Sequence, residues 1–151
     1  MSVDLGQLPV YTFTGGTKMV EDRQFTVSSF YKFVSEKRLM AAKCNNCGSI
    51  LLPPKPMCTN CLSTNLTWKE IEGIGKLLSY TVIHVAPEQF QSLVPYNVGI
   101  VEFKNGLRLP GMIRNVAPEK LRIGLELRIS FDTRIDSTKW PQWSRYYFTP
   151  I

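Results

Sequence analysis

From about residue 66 onward the chain is patterned with a period of two, the signature of half-buried strands. Trp68–Glu72 begins this region. Gly75 then precedes a long alternating run from Lys76 to Val85. Leu78, Tyr80, Val82 and His84 fall on one side of it, and Leu77, Ser79, Thr81, Ile83 and Val85 on the other. Pro87 ends the run, and Pro95-Tyr96 opens the next strand, Asn97–Lys104. Asn105-Gly106 between apolar runs is the strongest short hairpin signal, so a third strand is expected over Leu107–Ile113. Pro118-Glu119-Lys120-Leu121 reads as one helical turn with proline near its start. Two further strands are predicted over Leu125–Phe131 and Arg145–Thr149. Five strands with a helical turn between the third and fourth predict a small Greek-key barrel of the OB type.

Upstream the period changes. Thr26 is a candidate helix cap, and Val27, Phe30, Tyr31 and Val34 recur at spacings of three and four, one face of a helix. That face has two destinations: the core of this chain or its dimer, or a docking surface for a partner, with Phe30 and Tyr31 as the docking residues. Residues 1–24 carry Gly6, Pro9, Gly15 and Gly16 with little periodicity and read as an extended arm, with a short strand at Val10–Phe13. Arg38–Lys43 and Ile50–Leu52 are short strand signals. Pro53-Pro54-Lys55-Pro56 is a stiff turn, because three prolines fix φ and remove donors.

Chemistry enters with the cysteines. All four stand in two C-x2-C pairs, Cys44/Cys47 and Cys58/Cys61, ten residues apart. A C-x2-C turn aims two sulfurs at one point, and two turns supply the four thiolates that tetrahedral Zn2+ takes, at Zn–S of roughly 2.3 Å. The gap is shorter than the usual spacing of about 15–20 residues, but it suffices for a hairpin. Gly48 follows the first pair, where such a turn calls for positive φ. Iron is the other metal this set accepts. Four cysteine ligands make a closed site, which is structural rather than catalytic. The module spans about residues 38–68 and is too small to hold a core without its metal.

Composition narrows the rest. A chain of 151 residues with 44% hydrophobic content forms one domain carrying a small module. No run approaches the roughly 18 apolar residues of a membrane span, so no membrane association is expected. The N-terminus shows neither a basic region nor a long apolar stretch of a signal peptide. With thiols arranged for a metal, the expected compartment is the cytoplasm. A net charge of +6 favours an anionic partner. Catalysis is not expected. The thiols are committed to metal, the sole histidine, His84, sits on an alternating strand, no G-x-S-x-G elbow is present, and Gly73-Ile74-Gly75-Lys76 lacks the spacer and hydroxyl of a P-loop.

The run Lys43-Cys44-x-x-Cys47-Gly48, then Pro53-Pro54, then Cys58-x-x-Cys61 resembles a widespread prokaryotic family that joins a rubredoxin-like zinc ribbon to a C-terminal OB-fold, with helix at the N-terminus. Gly75–His84 followed by Ala86-Pro87, Pro95-Tyr96-x-Val98-Gly99-Ile100-Val101-Glu102 and Leu121-x-Ile123-Gly124 continue the likeness over roughly residues 25–149. The resemblance implies a mainly β chain in three parts: an arm and helix (1–37), a zinc ribbon (38–68) and a five-stranded OB-fold barrel (69–151). The family, long filed as a domain of unknown function, is associated with acyl-CoA metabolism. Its members are accessory partners of thiolases, of hydroxymethylglutaryl-CoA synthase and of related steroid-degrading enzymes. The implied function is a non-catalytic, acyl-CoA-binding accessory subunit or scaffold for a thiolase-type acyl-CoA enzyme, with a structural Zn2+ site. Coenzyme A or an acyl-CoA carries several phosphates, which a basic cleft attracts. Arg38, Lys43 and Lys55, flanking the ribbon, and Arg108 and Arg114, on or beyond a barrel strand, are the candidate lining of such a cleft. The alternative is a single-stranded nucleic-acid binder, since ribbons and OB-folds both serve that role and the tail Trp140–Phe148 is rich in aromatics.

Overall fold

The computed structural model describes residues 24–135, 138 and 143–151. The strand expected at Val10–Phe13 lies outside them. None of the helices among the described residues is long and apolar enough to cross a membrane.

Helix α1 (Val27–Ser35) forms where the period of three and four begins. Thr26 caps it, its Oγ1 accepting the Ser29 N–H at 3.2 Å. At the other end Arg38 N–H donates to Phe33 O (2.9 Å) and Lys37 N–H to Val34 O (3.0 Å). This is the Schellman pattern, with Lys37 at φ 60° in the place usually held by glycine. The buried positions are Ser29, Phe30, Phe33 and Val34, which corrects the expected stripe. Val27 is 59% exposed, and Phe33 replaces it. The reason is that the helix is covered on two sides at once. Phe30 and Val34 enter the barrel core. Phe33 instead packs edge-on to Trp68, with ring centroids 4.8 Å apart, and Phe25 stacks on Trp68 at 4.6 Å.

Strands β1 (Met40–Cys44), β2 (Ile50–Leu51) and β3 (Leu66–Glu70) form a three-stranded antiparallel sheet in the order β2-β1-β3. β1 pairs β3 from Met40↔Glu70 to Cys44↔Leu66. The strand expected to open the barrel at Trp68 therefore completes the ribbon sheet instead.

The barrel is built as expected. β4 (Ile74–Ile83), β5 (Tyr96–Phe103), β6 (Arg108–Ile113), β7 (Glu126–Asp132) and β8 (Arg145–Pro150) close in the order β4-β5-β6-β8-β7. All pairs are antiparallel except β6 with β8. A 3-10 turn at Pro118–Lys120 lies between β6 and β7, completing the OB-fold. The β5–β6 hairpin turns at Asn105 (φ 66°) and Gly106 (φ 73°), both left-handed as the Asn-Gly signal requires.

One irregularity overturns the alternation expected for β4. Leu77 pairs with Val101, but Ser79 pairs with Ile100, so Leu78 is a bulge residue and the phase flips there. Leu77 is buried, whereas Ser79, Tyr80 and Thr81 are all exposed. Gly99 makes the bulge possible: a Cβ there would sit 2.7 Å from Leu77 Cδ1 and 2.9 Å from Ser79 O. The core gathers Phe30, Val34 and Leu39 with Leu77, Val101, Phe103, Leu109, Ile113, Leu127 and Phe148. Ring contacts run from Tyr31 to Phe30 (5.5 Å), Phe30 to Tyr146 (6.0 Å), Tyr146 to Phe148 (6.1 Å) and Phe148 to Phe103 (6.2 Å).

Candidate metal centre and ligand grooves

Two turns of one kind build the metal centre. In the first, Gly48 N–H donates to Cys44 O (3.0 Å) and Cys44 N–H to Ser49 O (2.8 Å). In the second, Leu62 N–H donates to Cys58 O (3.0 Å) and Cys58 N–H to Ser63 O (2.9 Å). β1 delivers Cys44 to the first turn, and its pairing with β3 fixes where the second turn must return.

The four Sγ atoms lie within 4.8 Å of one another. Cys44 and Cys61 sulfurs are 3.5 Å apart, and Cys47 and Cys58 sulfurs 3.6 Å. A disulfide needs about 2.05 Å, and all four cysteines are free. A tetrahedron of thiolates around an ion at about 2.3 Å has edges of about 3.8 Å, so the donor set fits a four-coordinate metal. Cys44 and Cys58 are buried, Cys61 is half-buried and Cys47 is exposed. Neighbouring side chains favour the thiolate of Cys47. The hydrogen bond with Ser49 (3.1 Å), assisted by Asn60 and Cys61, brings the Cys47 thiol down to about 5. Asn46 Nδ2 lies 3.6 Å from Cys61 Sγ and Asn60 N 3.4 Å from Cys58 Sγ. The sequence reading missed these residues, although Asn at the x positions of both pairs is the signal that would have found them.

The five basic candidates do not form one cleft. Lys55 and Arg108 do come together. They line a groove of about 320 Å³ between the ribbon and the barrel, with Ile50, Leu51, Leu52 and Pro53 on the ribbon side and Leu107 on the barrel side. Arg108 also pairs with Glu102 at 2.9 Å. Arg38 is tied to Glu70 at 2.8 Å and lies over the Phe33 ring at 5.7 Å, so it locks α1 to β3. Its hydrogen bond with Glu70 holds the guanidinium pKa above its ordinary value. Lys43 lies on β1 opposite Ile50 and Thr67. Arg114 lies over Tyr147 at 4.4 Å and belongs to a different pocket, with Tyr31 and Tyr146. His84 is exposed, one residue past the end of β4.

The two docking candidates separate as well. Phe30 is 2% exposed, so its ring is barrel core and is withdrawn from any docking surface. Tyr31 is half-buried and lines that second pocket.

Comparison with known proteins agrees with this architecture. The family model for the ChsH2 rubredoxin-like zinc ribbon domain matches residues 34–67, and that for the ChsH2 C-terminal OB-fold domain matches residues 68–132. A DUF35 domain-containing scaffold protein of Methanocaldococcus jannaschii is 31% identical over 117 residues, covering 77% of this chain and 83% of the relative. A probable enoyl-CoA hydratase alpha subunit of Thermomonospora curvata is 32% identical over 96 residues, 64% of this chain but 30% of that longer protein. Among solved structures, a chain of the Ltp2-ChsH2(DUF35) aldolase superposes with a TM-score of 0.69 at 28% identity, covering 82% of this chain and 92% of that one.

Proposed function

The chain belongs to the DUF35 family of ChsH2-type zinc-ribbon and OB-fold proteins, and on that premise we propose that it is a non-catalytic scaffold subunit of an acyl-CoA enzyme. In this reading Cys44, Cys47, Cys58 and Cys61 hold one structural Zn2+. When bound, the ion supplies folding energy and no chemistry, since four thiolates leave it no open position. The partner is a thiolase or a related acyl-CoA condensing enzyme. The names of the relatives support the broader part of this, a scaffold that associates with an acyl-CoA enzyme: one is a scaffold protein and another an enoyl-CoA hydratase subunit.

The observation that carries the reading is the ribbon–barrel groove. Lys55 has no ion-pair partner among the described residues, and the apolar wall of Ile50, Leu51, Leu52 and Pro53 stands beside it. A phosphate-bearing ligand with a long, mostly apolar arm suits that combination. Coenzyme A and short acyl-CoAs are such ligands, and part of one lies in the groove while the rest extends toward the enzyme. Arg108 already has Glu102, but the pair is exposed and weak, so a phosphate displaces it readily.

Two measurements test this. A tagged chain recovered from its native host is expected to bring an acyl-CoA enzyme with it. Calorimetry is expected to show coenzyme A binding that weakens about tenfold on Lys55→Glu and is unchanged on Lys120→Glu, whose side chain lies elsewhere on the surface. Tight binding of a single-stranded oligonucleotide with a steep salt dependence, and none of coenzyme A, would replace this reading with the nucleic-acid one.

A further inference from the structure

The second pocket has a different character. It holds about 220 Å³ and is walled by Tyr31 of α1, Phe90 of the β4–β5 connection, Met112 of β6, and Trp143 and Tyr146 at the start of β8. It shares no lining residue with the ribbon groove. Gly111 sets its floor. A Cβ there would come within 2.7 Å of Phe148 Cε2 and 3.1 Å of Tyr146 Cε2, so only glycine lets those rings pack flush against β6. Tyr146 is held in place by donating to Pro110 O at 2.7 Å. The Tyr31 hydroxyl has no hydrogen-bond partner among the described residues and is free to donate.

Two arginines, Arg114 and Arg145, line the same pocket. Both reach one carboxylate oxygen, Asp132 Oδ2, at 3.8 and 3.7 Å. These are loose contacts beside the 2.8 Å pair of Arg38 with Glu70. Arg134 takes the other oxygen of Asp132 at 3.4 Å. Among the described residues three guanidiniums share this one carboxylate, and the two that line the pocket, Arg114 and Arg145, are thereby left with an excess of positive charge. The Arg114 and Arg145 side chains are only 33% and 35% exposed, so water compensates them incompletely. Arg114 is also preoriented, lying over Tyr147 at 4.4 Å. A guanidinium fork held in place beside aromatic walls is suited to bidentate capture of a carboxylate that carries a flat apolar body.

We propose that this pocket is a second ligand site, taking a small aromatic carboxylate, with the ring among Tyr31, Phe90, Trp143 and Tyr146 and the carboxylate on Arg114 and Arg145. The volume sets the size. Drug-sized ligands occupy roughly 300–1,000 Å³, so this pocket admits a single substituted ring and excludes a whole nucleotide. The proposal does not depend on the scaffold reading, because neither the metal centre nor the ribbon groove contributes to it.

Three probes separate ring from charge in an NMR titration of the full chain: phenylacetate, 2-phenylethylamine and acetate. Phenylacetate is expected to shift the backbone amides of Gly111, Met112 and Tyr146, saturating in the low millimolar range. The amine, with the same ring and opposite charge, and acetate, with the charge and no ring, are expected to leave them in place. Arg114→Gln and Phe90→Ala should each weaken phenylacetate at least tenfold, whereas Lys55→Glu should not affect it. Equal shifts from amine and carboxylate, reproduction of the shifts by acetate, or no saturable shift at these amides would overturn the proposal. Because the probe comparison uses the unaltered chain, it decides the matter even where a variant loses its fold.

Discussion

Gly48 and Leu62 occupy the same position of one turn used twice. Each follows the second cysteine of a pair, each donates its N–H to the carbonyl of the first cysteine at 3.0 Å, and each has positive φ, 75° and 62°. Only glycine adopts that region without strain; other L-residues are disfavoured there by roughly 1–2 kcal/mol. Leu62 is 66% exposed, so its side chain contributes little burial in return. Leu62→Gly is therefore expected to stabilise the metal-loaded chain by about 1 kcal/mol, a rise in Tm of about 2–4 °C. Gly48→Ala is expected to shift Tm the other way. Calorimetric melts of both variants check the pair.

Removing the metal should unfold the ribbon. The cluster around the centre is small, comprising Ala42, Cys44, Leu51, Cys58 and Leu66. In comparable peptides a structural zinc contributes on the order of 10 kcal/mol. A strong chelator is expected to abolish protection of the β1–β3 amides in hydrogen exchange, and Cys58→Ser to do the same without chelator. Elemental analysis should return one metal per chain, and a ribbon still protected in the metal-free protein would refute the structural role.

Phe30 is the most sensitive position on α1. Truncating a buried phenylalanine typically costs about 3–5 kcal/mol, and this one links helix to barrel through Tyr146. Phe30→Ala should lower the urea midpoint substantially. Val27→Ala, on the same helix but 59% exposed, should change stability by less than about 0.5 kcal/mol. Equal effects at the two positions would contradict the packing described.

Asp132 gives the barrel an acid limit. Burial raises its carboxyl pKa, but the backbone and side-chain hydrogen bonds from Arg134 and the charges of Arg134 and Arg145 outweigh burial and hold it below the ordinary value. A carboxylate whose pKa is depressed by folding stabilises the fold above its unfolded pKa, near 3.9. That contribution is lost as pH falls through the folded value. Stability should therefore drop below about pH 4, and Asp132→Asn should flatten that part of the profile while lowering stability at pH 7. A variant with the same acid slope as the parent would remove Asp132 from this role.

What the sequence made legible was local. The Cys pairs, the Thr26 cap, the Asn105-Gly106 turn and the five barrel strands each rest on residues adjacent in the chain, where spacing and φ preferences decide the outcome. What escaped was set by partners distant in sequence. Phe33 stands three residues after Phe30, within helical spacing, but the ring it meets edge-on, Trp68, lies far along the chain, and no periodicity within α1 names that partner. The bulge at Leu78 depends on Gly99 across the strand pair. The basic candidates scattered because charge has no period: the chain alone does not say that Arg38 is claimed by Glu70 while Lys55 and Arg108 converge. The aromatic pocket was hidden for the same reason, since Tyr31, Phe90, Met112 and Tyr146 come from four separate segments.

The two-sided burial of α1 bears on how such chains can be recombined. The matched modules meet at residues 67 and 68, but the mechanical joint is the helix, with Phe33 on the Trp68 side and Phe30 on the Tyr146 side. A chimera cut at the module boundary would leave the helix with the ribbon, while both rings it packs against, Trp68 and Tyr146, would come with the barrel of a different relative. Swapping barrels between relatives should succeed only when Phe30 and its barrel contacts travel together. Lineages that exchange these modules are expected to carry the helix as part of the exchanged unit.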